Sequence, residues 1–407
     1  MRPGLQTSEE LLAALAATPS LNLFPTENRM SPRALRALGS DAVHRYPTAE
    51  GPDFFYGDTL GLAEVYERCA ELAREFFGAR YAFVNLLSGL HTMHAVISSL
   101  SEPGDRVYIM DPTCGGHYAT GPICAGYRLE VEHLPFDRTS CLVDVDALAR
   151  MAQARPPRLV YLDVSTLVRF PHLAEIRRAV GPEATICLDA SHILGLLPSA
   201  PEGTGLDAGA STCSGSTHKS FPGPQKGLFL TQDPRIAERF QARLPFVVSS
   251  GHSNSIGALA ITLDELMEDR VRYGTAVRDN ARALSLRLAD RGFDVPGGAF
   301  GHTETHQVWI VPPPAVSAID WGKRLLASAV RSTVVTLPVN GRPGLRFGVQ
   351  ELTRLGMGEA EMDRVAALCA RCLLAEEAPE RLRRDVAELS RAFSTPQFIR
   401  DAVTAAP

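Results

Sequence analysis

The stretch "STHKSFPGPQKG", residues 216–227, contains Lys219 and Lys226, two of only three lysines in a chain with 41 basic residues. Arginine can replace lysine in most surface roles, but only a lysine amine forms a Schiff base with an aldehyde. A lysine retained between a histidine and a Gly-Pro turn therefore indicates a chemical role for Lys219. The competing interpretation, a lysine on a surface loop, has to be weighed against the rest of the chain.

Composition excludes several classes of protein. The 407 residues are 45% hydrophobic and carry a formal net charge of -5, which is typical of a globular protein with one large and one smaller domain. No basic cluster or long apolar run is present, so neither nucleic acid nor a membrane is an expected partner. The first twenty residues lack the apolar core of a signal peptide. The only C-x-x-C pair, Cys369 and Cys372, lies in a helical pattern, so we expect reduced thiols, no metal site and a cytoplasmic protein.

Short apolar strands alternate with helices through the middle of the chain, after helices predicted at 8–17, 31–40 and 60–79. Apolar strands separated by helices predict an α/β fold with a mainly parallel sheet covered on both faces. Long helices follow residue 255, and then come the predicted strands "ETHQVWIVP" and "GLRFGVQ" and two terminal helices. We therefore expect three parts: an N-terminal arm at 1–40, a large domain at 41–265 and a small C-terminal α+β domain at 266–407.

Polar residues gather where the predicted strands end, which is where ligands bind in doubly wound sheets. They stand in "LLSGL", "CGGHYATG", "YLDVS", "CLDASH" and "STHKS", and comprise Ser88, Gly89, His117, Ser165, Asp189, His192, Ser216, His218 and Lys219. A pyridoxal phosphate site needs a lysine for the aldehyde, a carboxylate for the ring nitrogen and an imidazole or aromatic ring for stacking. It also needs N–H and hydroxyl groups for the phosphate, and a helix start supplies the N–H groups. The set as a whole therefore predicts this cofactor.

In this order and wording the chain resembles the serine hydroxymethyltransferase group of fold-type I pyridoxal phosphate enzymes, which have an aspartate aminotransferase-like fold. The resemblance covers roughly residues 20–375 and is strongest in "STHKSFPGP", "LDASHILGL", "CGGHYATG" and "FFYGD". It implies that Lys219 binds the cofactor aldehyde, that Asp189 pairs with the ring nitrogen and that His117 stacks on the ring.

The same resemblance implies further roles around the cofactor. His192 and Ser165 would contact the ring hydroxyl side, and the phosphate would lie among Ser88, Gly89, Ser216 and His218. Arg346, in "GLRFG", would bind the substrate carboxylate, for which the guanidinium fork is suited. Thr26 replaces the family's serine before "EN" and is a further substrate-binding candidate. Tyr46 and Tyr56 match tyrosines that the family contributes across a subunit interface, Tyr46 to the cofactor and Tyr56 to the substrate, which implies a homodimer with active sites at the interface.

The chain departs from the family on the side where folate binds. In "RYPTAEGPDFFYG", Thr48 stands at the position of the family's catalytic glutamate when no gap is allowed, and Glu50 does so after a shift by two. Phe55 replaces a tyrosine, Gln225 replaces an arginine, and the segment "TVVTLPVNGRPG" is shorter than the family's folate-contacting loop. Four changes on one side of the site favour a reaction partner other than folate.

The resulting hypothesis is a folate-independent enzyme, similar to the threonine transaldolases, that breaks and forms the Cα–Cβ bond of a β-hydroxy-α-amino acid. L-Threonine or L-serine would be the donor and an aldehyde the acceptor, and the likeness implies antibiotic biosynthesis. His117, Glu50 and Thr48 are the candidates for the base that takes the hydroxyl proton. The alternatives are a tetrahydrofolate-dependent serine hydroxymethyltransferase that uses Glu50, an aminotransferase, and a non-catalytic partner with this fold. Dimer and tetramer both stay open.

Overall fold

The computed structural model describes residues 7–15 and 18–399. Along the chain its strands are β1 (Leu21–Asn22), β2 (Ala49–Gly51), β3 (Phe54–Tyr56), β4 (Tyr81–Phe83), β5 (Arg106–Ile109), β6 (Glu130–His133), β7 (Phe136–Asp137), β8 (Leu142–Val143), β9 (Leu159–Leu162), β10 (Thr185–Asp189), β11 (Thr212–Ser216), β12 (Gly227–Thr231), β13 (Gln307–Ile310), β14 (Val330–Arg331), β15 (Thr333–Leu337) and β16 (Arg342–Gly348).

The α-helices are α1 (Ser8–Ala14), α2 (Pro32–Leu38), α3 (Leu62–Phe77), α4 (Gly89–Leu100), α5 (Thr120–Gly126), α6 (Val145–Ala154), α7 (Leu173–Val180), α8 (Pro234–Arg243), α9 (Ser253–Leu266), α10 (Arg270–Ala289), α11 (Ala318–Ala327), α12 (Gln350–Arg354), α13 (Glu359–Leu373) and α14 (Pro379–Ala392). No helix in the described residues is both long and apolar enough to cross a membrane.

The central sheet has seven strands in the order β4-β12-β11-β10-β9-β5-β6. The pairs from β11 through β6 are parallel, and β12 runs antiparallel to both β11 and β4. The mainly parallel sheet predicted from the apolar strands is therefore confirmed. The expected strands did not include β12, an apolar run that begins directly after Lys226 and returns the lysine loop to the sheet.

Apolar layers cover both faces of this sheet. Neighbouring residues on a strand point to opposite faces. In β9, Val160 and Leu162 accordingly belong to the larger apolar core, whereas Tyr161 belongs to a second core on the other face. Because apolar layers cover both faces, groups that bind a polar ligand are expected where the strands end, and the candidate residues gather there.

The predicted ends of the first helices agree with the structure. Ser31 caps α2 by accepting a hydrogen bond from the backbone N–H of Ala34, and Pro32 occupies the first turn, where its missing N–H costs nothing. Gly78 ends α3 with a φ of 65°, a conformation that glycine adopts without strain. The helix expected at 8–17 is α1, and residues 16 and 17 lie outside the described residues.

The C-terminal part contains a three-stranded antiparallel sheet in the order β13-β16-β15. Strand β1 pairs in parallel with β14, which ties the N-terminal segment to this part. The stretch "TVVTLPVNGRPG", which is shorter than the folate-contacting loop of the family it resembles, forms β15, a tight turn with Gly341 at a φ of 66°, and the start of β16. β-Branched residues favour a strand here. The domain boundaries at 40 and 265 stay a prediction, and 1–6 and 400–407 lie outside the described residues.

Candidate active site

The loop that carries Lys219 is closed by its own hydrogen bonds. The backbone N–H of Thr217 donates to the carbonyl of Lys226 (3.0 Å), and the carbonyl of Thr217 accepts from the N–H of Gly223 (2.8 Å). Lys219 is half-buried between β11 and β12. Burial lowers the pKa of Lys219 to about 8, against an opposing effect of nearby Asp189. The amine is thus much closer to its neutral, nucleophilic form at physiological pH than an exposed lysine would be.

The backbone of the lysine is clamped from two directions. Asn28 Nδ2, from the "TEN" segment, donates to the carbonyl oxygens of Lys219 (2.8 Å) and Ser220 (3.1 Å). Tyr273 Oη donates to the same carbonyl of Ser220 (2.7 Å). The hydroxyl oxygen of Ser220 accepts from the N–H of Gly195 (3.1 Å). These contacts fix the point from which the lysine side chain extends.

Asp189, the last residue of β10, is buried and held by three donors. Its Oδ1 accepts from the N–H of Ser191 (2.9 Å) and from the hydroxyl of the same serine (2.5 Å), and its Oδ2 accepts from Tyr161 Oη (3.2 Å). Ser191 Oγ in turn accepts from the backbone N–H of Ser216 (3.0 Å). The network orients the carboxylate and leaves Oδ2 able to accept a second hydrogen bond.

His117 lies in the loop after β5. Its backbone N–H donates to Asp163 Oδ2 (2.9 Å), and its ring stacks on that of Tyr118, with 4.7 Å between centroids. Burial and the nearby ammonium of Lys219 lower the pKa of His117, and Asp189 opposes this. The imidazole is therefore neutral at physiological pH and presents a flat apolar face.

Asp163 was not among the predicted site residues. Strands β9 and β10 are in register up to Leu162 and Leu188, so Asp163 and Asp189 are neighbours at the ends of adjacent strands. Asp163 Oδ2 accepts from Thr120 Oγ1 as well as from the loop N–H described above, while Oδ1 makes no hydrogen bond within the described residues. Burial raises the pKa of Asp163 to about 8. The signal for it was present in "YLDVS", because the strand-end rule that selected Asp189 applies equally here.

Two further side chains that sequence reasoning missed contact His192. Gln307 Nε2 lies 3.2 Å from His192 Nδ1, and the ring of His306 stacks on that of His192 with 6.0 Å between centroids. Burial lowers the pKa of His192 well below its usual value, and the positive charges of Lys219 and Arg346 add to this. Burial also lowers the pKa of His306 to about 3. Both imidazoles are therefore neutral.

Arg346 connects the C-terminal sheet to this site. It is only 7% exposed, so it is a buried arginine. Its Nη1 donates to the carbonyl of Ser165 (3.0 Å) and to Thr166 Oγ1 (3.2 Å), and its Nε donates to Thr333 Oγ1 (3.3 Å). Burial lowers the pKa of Arg346 to about 10, so the guanidinium still carries its charge at physiological pH. A buried, oriented guanidinium that has no carboxylate partner among the described residues fits an anionic substrate group.

The residues expected around a phosphate lie at one end of the site. Ser88 caps α4 by accepting from the N–H of His91 (3.1 Å). A Cβ atom on Gly89 would lie 2.2 Å from Ser216 Oγ, so only glycine lets the start of α4 approach the end of β11 this closely. His218 Nδ1 has no hydrogen-bond partner within the described residues, and burial lowers the pKa of His218 to about 4. The backbone N–H groups at the start of α4, next to Ser216, suit an anion.

Seven of the nine residues predicted at the strand ends line one cavity, together with Asp163: Gly89, His117, Ser165, Asp189, His192, Ser216 and Lys219. Ser88 and His218 are not among the residues that line it. Thr26 lies in the neighbouring "TEN" segment, next to Pro25, whose carbonyl is 3.2 Å from His306 Nε2. The cavity thus offers a desolvated amine, an oriented carboxylate, a neutral imidazole and a helix start. These are the groups that pyridoxal phosphate requires.

The structure of one chain does not bring the hairpin residues to this cavity. Thr48 donates to Asp58 Oδ2 from both its N–H (2.6 Å) and its hydroxyl (2.8 Å). Glu50 is exposed on β2. Tyr46 and Tyr56, 61% and 63% exposed, line a separate cavity of about 610 Å³.

Comparison with known proteins agrees with this arrangement. The family model described as serine hydroxymethyltransferase matches residues 15–369. The chain belongs to the serine hydroxymethyltransferase family. It is accordingly a pyridoxal phosphate-dependent enzyme with the fold-type I architecture, and the expected family, fold class and cofactor are confirmed.

Relatives in this family span nearly the whole chain. The serine hydroxymethyltransferase of Methanopyrus kandleri is 35% identical over 390 residues, covering 93% of this chain and 90% of its own length. That of Pyrococcus abyssi is 36% identical over 385 residues, covering 90% of each protein. Among solved structures, an L-threonine transaldolase from Pseudomonas fluorescens, in an internal aldimine state, superimposes with a TM-score of 0.87 at 28% identity, covering 94% of this chain and 90% of that one.

Proposed function

We propose that this enzyme cleaves and forms the Cα–Cβ bond of β-hydroxy-α-amino acids without folate, with L-threonine or L-serine as glycyl donor and an aldehyde as acceptor. The observation that carries the proposal is the pair of hydrogen bonds from Thr48 to Asp58. Thr48 stands at the position of the family's catalytic glutamate when no gap is allowed. Both its donors bind Asp58, so it cannot take over the proton transfer of a carboxyl group. The similarity to an L-threonine transaldolase over most of the chain supports the same reading.

In this proposal, Lys219 would bind the aldehyde of pyridoxal phosphate, Asp189 its ring nitrogen and His117 the face of its ring. The phosphate would be held by Ser88, Gly89, Ser216 and His218, and the ring hydroxyl side by Ser165 and His192. Bound pyridoxal phosphate supplies an electron sink for the negative charge that Cα acquires when its bond to Cβ breaks. Asp189 would serve this by holding its carboxylate oriented for the ring nitrogen.

Arg346 would bind the carboxylate of the amino acid. Its Nε and Nη1 are held by protein oxygens, whereas its Nη2 makes no hydrogen bond to a described residue. The guanidinium is thus fixed in direction before the substrate arrives. A fixed contact of this kind restricts rotation of the amino acid about Cα, and so selects the bond that breaks. Thr26, in the adjacent segment, is proposed as a second contact to the substrate.

The base for the β-hydroxyl proton is proposed to be His117. Of the three candidates, only His117 lines the Lys219 cavity within one chain. Its Nδ1 accepts a long hydrogen bond from the N–H of Ala119 (3.3 Å) and therefore carries a lone pair. Its lowered pKa keeps Nδ1 unprotonated at neutral pH, and the β-hydroxyl of the substrate would displace the long bond from Ala119 to reach this lone pair. Nδ1 would take the hydroxyl proton as the first aldehyde leaves and return it to the oxygen of the acceptor as the new C–C bond forms.

The proposal is tested with purified holoenzyme and L-threonine in the absence of folate. We expect acetaldehyde release, and a new β-hydroxy amino acid by mass spectrometry when an acceptor aldehyde is supplied. Glu50→Gln should leave this activity unchanged, as should Glu64→Gln, the matched exposed control on α3. No turnover of threonine, together with serine cleavage only when tetrahydrofolate is present, would overturn the proposal.

That outcome is the second candidate function, a tetrahydrofolate-dependent serine hydroxymethyltransferase. The names of relatives at 35–36% identity favour it. Glu50 lies on the short β2–β3 hairpin, opposite Phe55, and would have to reach the site of another subunit. Glu50→Gln would then abolish folate-dependent cleavage, while Glu64→Gln would not.

We also propose a homodimer, in the cytoplasm, that supplies β-hydroxy amino acids such as those found in antibiotics. The support is an exposed aromatic hairpin: Phe54, Phe55 and Tyr56 are 50%, 69% and 63% exposed, and Tyr46 beside them is 61% exposed. Rings exposed together mark a contact surface. Light scattering gives the mass in solution. Mixing Lys219→Ala chains with Tyr56→Phe chains should restore part of the lost activity if Tyr56 acts on the partner's site.

A further inference from the structure

Gln307, the first residue of β13, is a fully buried glutamine whose amide is fixed by its neighbours. Its Oε1 lies 3.2 Å from the backbone N of Leu167 and 3.3 Å from Trp309 Nε1. Both neighbours are donors that cannot accept. The amide atom that faces them must therefore be the carbonyl oxygen, and the NH₂ group must point the other way.

The NH₂ group of Gln307 faces two acceptors. Nε2 lies 3.0 Å from the carbonyl oxygen of Ser165 and 3.2 Å from His192 Nδ1. An amide nitrogen donates and does not accept. His192 Nδ1 must therefore accept, and so it carries no proton.

The surroundings of His192 keep the imidazole uncharged. The charged or titratable groups that act on it are Lys219 of the lysine loop, Arg346 of β16, His306 before β13 and His117 after β5. Burial and these groups all lower the pKa of His192. A neutral imidazole with a bare Nδ1 has its proton on Nε2. His192 lines the Lys219 cavity, and its Nε2 makes no hydrogen bond to a described residue.

We propose that Gln307 is a positioning residue that holds His192 permanently as an Nε2–H donor toward an anionic oxygen in the Lys219 cavity, the ring oxygen of the bound cofactor. The inference rests on the proposed placement of the cofactor in that cavity. Held in this way, His192 cannot serve as the base, because the nitrogen available to the cavity is already protonated and the other is occupied by Gln307.

The first test is the position of the proton in the unaltered holoenzyme, read by ¹⁵N NMR of histidine-labelled protein. The His192 signals are assigned by their loss in His192→Asn. We expect a protonated Nε2 and a bare Nδ1, unchanged between about pH 6 and pH 9. A proton on Nδ1 would overturn the inference. Because no variant of Gln307 is needed, a folding defect cannot obscure the answer.

The second test changes the amide. In Gln307→Glu, one carboxylate oxygen can still accept from Leu167 and Trp309, but the other can only accept from His192, so the proton must move to Nδ1. The NMR signals should report that move, and the midpoint of the pH titration of cofactor absorbance should shift by about one unit or more.

In Gln307→Met, the donor is lost without a new charge, and cofactor affinity should fall about tenfold, the effect of one well-placed hydrogen bond. The matched control is Gln232→Met, because the amide of Gln232 is likewise held on both sides, by the carbonyl of Gly78 and the N–H of Arg80, away from the site. An unmoved proton in Gln307→Glu, or equal cofactor affinity in Gln307→Met and Gln232→Met, would refute the proposal. The proton position does not depend on the acceptor, so a failure of the folate-independent function leaves this test intact.

Discussion

Replacing Asp163 by asparagine tests whether the site contains a second, protonated carboxyl group. Asp163 is 2% exposed, and only its Oδ2 accepts hydrogen bonds, from the N–H of His117 and the hydroxyl of Thr120. Asparagine keeps both contacts through its amide oxygen and places an NH₂ group where Oδ1 stands. The variant is therefore nearly isosteric with the protonated acid but has no proton to release.

The expected effect follows from the two pKa values. In the unfolded chain Asp163 has its ordinary pKa of 3.8 and loses its proton above that pH. In the native state burial raises the pKa of Asp163 to about 8, so the proton stays bound over a wider pH range. The stability contributed by this group is thus fully present below pH 3.8, falls as the pH rises and stops falling above about pH 8. One proton gives a slope of about 1.4 kcal/mol per pH unit. Between pH 5 and pH 7 the native chain should therefore lose about 2.7 kcal/mol relative to Asp163→Asn.

The measurement is urea unfolding of both proteins at several pH values, with the cofactor removed so that its ring nitrogen does not contribute. The quantity compared is the difference between the two free energies of unfolding. Asp207→Asn, on the surface, controls for the loss of one carboxyl group. A difference that stays constant from pH 5 to pH 7 would show that Asp163 is an ordinary carboxylate in the native state, and the reasoning from burial would be wrong.

Three further predictions concern binding. Arg346→Lys should raise the KM for the amino acid about 10- to 100-fold in steady-state kinetics, because one ammonium group cannot replace the two hydrogen bonds of a fixed guanidinium. Arg342→Lys, at the exposed start of the same strand, is the control and should leave the KM unchanged. Reconstitution of the cofactor-free protein should accelerate about tenfold between pH 7 and pH 9, as the fraction of neutral Lys219 rises through its pKa of about 8; a rate independent of pH contradicts this. Gly89→Ala should weaken binding of pyridoxal phosphate more than binding of pyridoxal, because the added Cβ would lie 2.2 Å from Ser216 Oγ. Gly126→Ala, where the added Cβ would meet open space, is the control for this titration.

Much of the cofactor side could be predicted from the sequence for a physical reason. Parallel strands end at one edge of the sheet, so polar residues directly after buried apolar runs must meet there. Asp189 and Ser216 obey this rule and line one cavity with Lys219. Asp163 obeys it as well and could have been selected from "YLDVS".

Other parts had no local signal. Gln307 sits inside an apolar strand, and its contact with His192 joins residues 115 positions apart in the chain, which no pattern in either segment indicates. Strand β15 is different, because the β-branched run before Pro338 did favour a strand. The resemblance to the family addressed only the length of this segment, so the strand itself was not predicted.

The two sides of the site differ in what one chain can supply. Within a single chain the lysine loop closes on itself, and Asp189 accepts three hydrogen bonds from the central sheet and the turn after β10. The hairpin that carries Glu50 and Tyr56 is exposed and away from Lys219. If a second copy covers that hairpin, the Lys219 cavity is set inside one subunit and the choice of acceptor aldehyde is set by the contact between subunits. Substitutions in the hairpin should then change which aldehyde is accepted while leaving the affinity for pyridoxal phosphate unchanged, and titrating a panel of aldehydes against one cofactor-binding curve separates the two.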